Sequence, residues 1–132
     1  MKFLVDTHAF LWSLMIPAKL GRKAQQVLLD PANTIFLSVV TLWEVTLKFS
    51  LGKLDLQGVS PEALSDWAQR AGFQILPLDP REALTFHQLP RLAHKDPFDR
   101  MLVWQCLHNG CVLISKDSAI SDYQAQGLQV VW

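Results

Sequence analysis

Short apolar runs alternating with longer stretches of helical periodicity set the plan of this chain. Lys2-Phe3-Leu4-Val5 breaks at once into Asp6-Thr7-His8, which predicts a central, buried strand whose carboxyl end delivers an acid to one edge of a sheet. An apolar helical stretch runs from Ala9 to Met15, a break follows at Pro17 and Gly21, and a second helix spans about Arg22 to Leu29 before Asp30-Pro31 ends it. Thr34-Ile35-Phe36-Leu37 is the second strand, and Ser38 to Ser50 a helix closed by Gly52.

The second half uses one device three times, a capping residue followed by proline. Ser60-Pro61 opens a helix to Ala71 with Gly72 as its stop, Asp79-Pro80 opens one that ends near Leu89-Pro90, and Asp96-Pro97 opens one that runs to Asn109-Gly110. Strand three is Phe73-Gln74-Ile75-Leu76, and Arg91 to Lys95 is a polar loop. Strand four, Cys111-Val112-Leu113-Ile114, leads to a short helix over Ser118 to Gln126 and a last strand over Leu128 to Trp132. Strands joined through helices need βαβ crossovers, so the expected class is α/β, three layers, with helices on both faces of a central parallel sheet of about five strands. Such a sheet gathers every strand carboxyl end and every helix amino end on one edge.

Composition bounds this plan. At 132 residues, half of them apolar, the chain suits a single domain over residues 1–132. Twelve Lys and Arg balance twelve Asp and Glu, so overall charge gives no steer toward nucleic acid or membrane, and a polyanion would have to be drawn by a local patch. Met1 leads directly into a strand, and no apolar run approaches the roughly 20 residues that span a bilayer. The expectation is a soluble cytoplasmic protein without membrane contact. Cys106 and Cys111 lack metal-site or redox spacing and read as reduced core residues.

The acids are the candidate chemistry. Asp6 suits either a cap for the next helix or a site acid. Glu44 closes Thr41-Leu42-Trp43-Glu44, which matches a capping box, and stands four residues before Lys48, the favourable order for a helical ion pair. Asp96 is the natural cap ahead of Pro97. Asp99 shares its helix stripe with Leu102, Val103 and Cys106, which turns it toward packing or a cleft where an unpaired carboxylate is costly. Asp117 follows strand four, which in a doubly wound order lies beside strand one, near Asp6. Each acid has a structural reading. Four of them, Asp6, Glu44, Asp99 and Asp117, nevertheless arrive on one edge from separated segments, where they would repel one another. A hard cation, Mg²⁺ or Mn²⁺, resolves that conflict, and metal-dependent phosphodiester hydrolysis is the reaction class suggested.

The segments FLVDTH, SVVTLWEVTLKFSLGKL, HKDPFDRMLVWQC and LISKD, in this order and spacing, resemble the PIN-domain ribonucleases, and among them the VapC-type toxins of bacterial toxin–antitoxin pairs. The resemblance covers essentially the whole chain. It implies a three-layer α/β/α PIN-like fold and an acidic quartet at Asp6, Glu44, Asp99 and Asp117 that binds Mg²⁺ or Mn²⁺ and activates water to cut RNA. It further implies a homodimer, inhibition by a small VapB-like antitoxin, and a supporting position for Asp96. Thr7, Ser38 and Ser115 fall where that family places small hydroxyl residues beside the acids; ordinary cap and strand-end hydroxyls are the alternative.

An RNA backbone needs nearby positive charge, and Lys48, Lys95, Arg100 and Lys116 are each close in sequence to one of the acids. For each, a solvated face is the alternative, and for Lys48 the pair with Glu44. His8 and His94 read as edge or loop histidines, since the acids suffice as ligands. Trp12, Trp43 and Trp104, three of five tryptophans, read as core or interface residues. A competing function is a non-catalytic PIN-like or receiver-like regulatory module; the receiver design wants paired acids after strand one, where Asp6-Thr7-His8 supplies one. A glycine-rich phosphate loop is absent, which disfavours nucleotide-dependent transfer.

Overall fold

A computed structural model describes residues Met1–Trp132. Five strands, β1 (Lys2–Val5), β2 (Thr34–Ser38), β3 (Phe73–Leu76), β4 (Val112–Ile114) and β5 (Gln129–Val131), form one sheet in the order β3-β2-β1-β4-β5. Every pairing is parallel, with Phe3 opposite Ile35 on one side and opposite Val112 on the other. The α-helices are α1 (Thr7–Met15), α2 (Arg22–Leu29), α3 (Val39–Ser50), α4 (Leu64–Arg70), α5 (Pro80–Thr85) and α6 (Pro97–Asn109).

The three layers follow from the two-residue period of the strands. Phe3, Val5, Ile35, Leu37, Val112 and Ile114 point to one face and meet Phe10, Ala24, Val45, Leu64 and Ala68 from α1 to α4. Leu4 and Leu113 point to the other face, where α6 supplies Leu102, Val103 and Cys106, with Ile120 and Tyr123 beside them. Cys106 and Cys111 are buried free thiols. No helix is long and apolar enough to cross a membrane.

Several helix boundaries differ from the sequence expectation, each for a local reason. The Asp6 carboxylate accepts from the Ala9 amide, so α1 starts at Thr7 rather than Ala9. Ser38, not Thr41, caps α3, accepting from the Val40 amide at 3.0 Å. Thr41 therefore lies inside the helix, and the capping-box reading of Thr41 and Glu44 is overturned. The Ser60 hydroxyl turns to Glu62 instead of a backbone amide, and the expected helix splits into a 3₁₀ turn, Pro61–Ala63, and α4. The segment Ser118–Gln126 is a 3₁₀ helix rather than an α-helix. The other proline caps hold: Asp79 forms a reciprocal capping box with Glu82, and Asp96 accepts from the amides of Phe98 and Asp99. Gly21 is required by close approach, because a Cβ there would lie 2.5 Å from the Trp132 carbonyl carbon.

Candidate metal centre

The carboxyl edge of β1, β2 and β4 and the amino ends of α1, α3 and α6 converge as the parallel order demands. The Asp6 amide continues the ladder, donating to the Ile114 carbonyl at 3.0 Å. Its carboxylate is 5% exposed and serves at once as the α1 cap and as an acid of the edge. Burial raises its pKa; hydrogen bonds from Ser115 and the Ala9 amide and the nearby His8 oppose the rise, and Asp117 adds to it.

Glu44 is also buried, in the second turn of α3. The Thr7 hydroxyl donates to its Oε1 at 2.6 Å, and Lys48 pairs with Oε2. Burial pulls the Lys48 ammonium down, but the Glu44 hydrogen bond and charge, with Asp96 and Asp99, hold it above its ordinary value. The expected RNA contact at Lys48 is thus occupied by the expected ion pair.

Asp99 sits in the first turn of α6 and is part-exposed. Its carboxyl is pushed up to about 7, first by burial, then by the charges of Asp96 and Glu44, with His94 opposing and Asp6 adding. Asp117 follows β4, accepts from the Ala119 amide at 2.9 Å and is 37% exposed; its own amide donates to the Ser115 hydroxyl at 3.1 Å. All four expected acids therefore lie on one edge, electrostatically linked through Asp6 and Asp99.

Sequence reasoning missed His94. The loop histidine folds inward, with Nε2 3.1 Å from Asp99 Oδ2 and 2.9 Å from Asp117 Oδ2. The Nε2, Oδ2 and Oδ2 donor atoms lie within 4.8 Å of one another. Nε2 is buried and forms no hydrogen bond, although both oxygens lie at ion-pair distance. The available signal was a histidine two residues ahead of the Asp96 cap, among the exposed residues Arg91, Ala93 and Lys95. Arg100, expected on RNA, points inward instead. Its Nε donates to Tyr123 Oη and its Nη2 to the Leu89 carbonyl, both at 3.2 Å, with the guanidinium 4.8 Å from the Phe86 ring. Tyr123 in turn donates to the Pro90 carbonyl at 3.3 Å. Arg100 thus anchors the start of the His94 loop, and the Asp96 cap anchors its end.

The hydroxyl residues divide. Thr7 and Ser115 do contact the acids. The Ser38 hydroxyl instead caps α3 and donates to Gln105 Oε1 at 2.5 Å, tying α3 to α6, and makes no hydrogen bond to the four acids. Lys95 and Lys116 are exposed near the rim. Trp12 and Trp104 pack partly buried, whereas Trp43 is 64% exposed and is not a core residue.

Carboxylates that raise one another's pKa, beside a buried imidazole nitrogen without a hydrogen-bond partner, fit a divalent cation. Fold and edge together define a parallel α/β/α protein with an acidic, cation-suited rim. The family model of the PIN domain matches residues 3–126, and the chain belongs to the PIN domain family. Among solved structures, the chain resembles VapBC2 from Rickettsia felis bound to a DNA fragment from their promoter, with a TM-score of 0.69 and 13% identity over 99% of this chain and 98% of that one. DNA-bound VapBC from Salmonella typhimurium gives 0.67 and 15%, over 99% and 97%. VapBC-5 from Mycobacterium tuberculosis, a member of the VapBC family of toxin–antitoxin systems, gives 0.62 and 16%, over 98% and 97%. At these identities the likeness is one of fold. A comparison with curated protein sequences finds no match.

Proposed function

We propose that this chain is a metal-dependent endoribonuclease of the VapC type, the toxin of a toxin–antitoxin pair, with Asp6, Glu44, Asp99 and Asp117 as its active-site acids and Mg²⁺ or Mn²⁺ as cofactor. The observation that carries the reading is geometric: buried Asp6 and Glu44 and the part-exposed Asp99 and Asp117 converge on one edge of the sheet, with ligand atoms of Asp99, Asp117 and His94 within 4.8 Å of one another. Carboxylates that resist ionising together gain most from a shared cation.

A bound dication supplies a Lewis acid for phosphoryl oxygens and a water of lowered pKa. Asp99 and Asp117, at the half-exposed mouth, are the acids best placed to hold it. Asp6 adds negative charge from behind, and Glu44, oriented by Thr7 and Lys48, closes the inner wall. Asp96 holds the amino end of α6 and so sets where Asp99 points. Lys95 and Lys116, exposed beside the mouth, take RNA phosphates; Lys48 and Arg100 are committed to protein partners. The likeness to VapBC structures supports a VapB-like antitoxin as partner; a homodimer and a cytoplasmic location complete the proposal.

Incubation of the purified chain with RNA tests the reading. Cleavage is expected with Mg²⁺ or Mn²⁺ and is expected to vanish in excess EDTA and in Asp6→Asn, whose circular dichroism should match the parent. Cleavage that persists in EDTA overturns it.

A further inference from the structure

We propose that His94 is itself a cation ligand, joining Asp99 and Asp117 through Nε2 and giving this site a mixed nitrogen and oxygen donor set that prefers transition-metal dications such as Mn²⁺ to Mg²⁺. The inference rests on the reading of the acidic edge as a cation site, and concerns which ion it selects.

The geometry carries it. A histidine in a polar loop, between the exposed residues Ala93 and Lys95, would ordinarily stand in water, yet this ring is only 11% exposed. Its Nε2 lies 2.9 and 3.1 Å from one oxygen of each carboxylate. A ring N–H aims at one acceptor; here the nitrogen faces the gap between two and forms a hydrogen bond with neither. Separations near 3 Å are the edge that neighbouring donors make when each is bonded to one ion at about 2.1 Å and about right angles. The two separations to Nε2 match that edge, and all three donors lie within 4.8 Å of one another.

Ligation through Nε2 requires the ring hydrogen on Nδ1. In the metal-free chain Nδ1 accepts from the Asp96 amide at 3.4 Å, a long and therefore weak bond that an ion held at Nε2 displaces. The loop is held for the purpose at both ends, by Arg100 and Tyr123 on Leu89 and Pro90 and by the Asp96 cap. Donor chemistry gives the selectivity. Mg²⁺ takes oxygen ligands and keeps its waters; Mn²⁺, the first member of the transition-metal series, also suits carboxylates and water but accepts an imidazole nitrogen at less cost, and the preference grows along the series toward Zn²⁺.

The test uses the full metal-free chain, with Mn²⁺ and Mg²⁺ as probes in calorimetric titrations. The parent is expected to bind Mn²⁺ more tightly than Mg²⁺. His94→Gln is expected to lose about tenfold or more in Mn²⁺ affinity with little change for Mg²⁺, and His94→Glu, which offers oxygen instead, to narrow the preference. Pulsed electron paramagnetic resonance of the Mn²⁺-bound parent should show directly bonded nitrogen coupling that disappears in His94→Gln. Unchanged or tighter Mn²⁺ binding in His94→Gln, or no nitrogen coupling in the parent, overturns the proposal while leaving the acidic site standing. Failure of the parent to bind either ion overturns both.

Discussion

The two halves of the acidic edge are built differently. On the inner side, Asp6 and Glu44 are 5% and 3% exposed, and each carboxylate already has protein donors: the Ala9 amide and Ser115 for one, Thr7 and Lys48 for the other. On the outer side, Asp99 and Asp117 are 22% and 37% exposed and share a histidine nitrogen that hydrogen-bonds neither. The inner acids are satisfied by the fold and support it. Asp117 has the Ala119 amide on one oxygen, but its other oxygen, Asp99 and His94 Nε2 meet only one another, at ion-pair distance and without a hydrogen bond, an arrangement open to a bound ion.

That contrast can be broken in four ways. The largest expected effect lies on the outer side: Asp99→Asn should lower metal-supported RNA cleavage by about a hundredfold or more, the equivalent of losing several kcal/mol of charge stabilisation, while the chain keeps its circular dichroism. Next comes the inner side. Thr7→Val removes the 2.6 Å donor to Glu44 and should lower unfolding free energy by about 2 kcal/mol, the worth of a hydrogen bond to a charged group, read by urea denaturation in chelator.

The third effect is pH dependence. The Asp99 carboxyl, ordinarily near 3.8, stands at about 7 in the folded chain, so the folded state holds its proton more tightly than the unfolded state. The stability this contributes is fully present below 3.8 and is lost as pH rises through about 7. Melting temperature in chelator should therefore fall between pH 5 and pH 8, with a shallower fall in Asp99→Asn, and added Mn²⁺ should restore it at the upper end. A slope identical in the two proteins would remove Asp99 from the argument. The smallest expected effect is His94→Gln in metal-free protein, within about 1 kcal/mol, since the ring gives up only the long bond from the Asp96 amide. If that substitution destabilised the chain as much as Thr7→Val, the distinction between a supporting half and a binding half would fail.

Much of this was legible in the linear chain because its causes are local. Two-residue alternation in Phe3-Leu4-Val5 and proline after Asp79 and Asp96 act over a few residues and were read correctly, as was strand four beside strand one. The side-chain partners that linear order did not show lie far along the chain. Ser38 meets Gln105 at a sequence distance of 67, Arg100 meets Tyr123 at 23, and His94 reaches Asp117 only because β4 has been laid next to β1. By itself, the sequence determined the α/β plan, the capped helix starts and the delivery of Asp6, Glu44, Asp99 and Asp117 to one edge, since strand direction and helix polarity leave no other place for them. Only the tertiary structure decided which polar groups face the acids and which are consumed in support, because a side chain takes the partner that burial brings within 3 Å, not the one nearest in the chain.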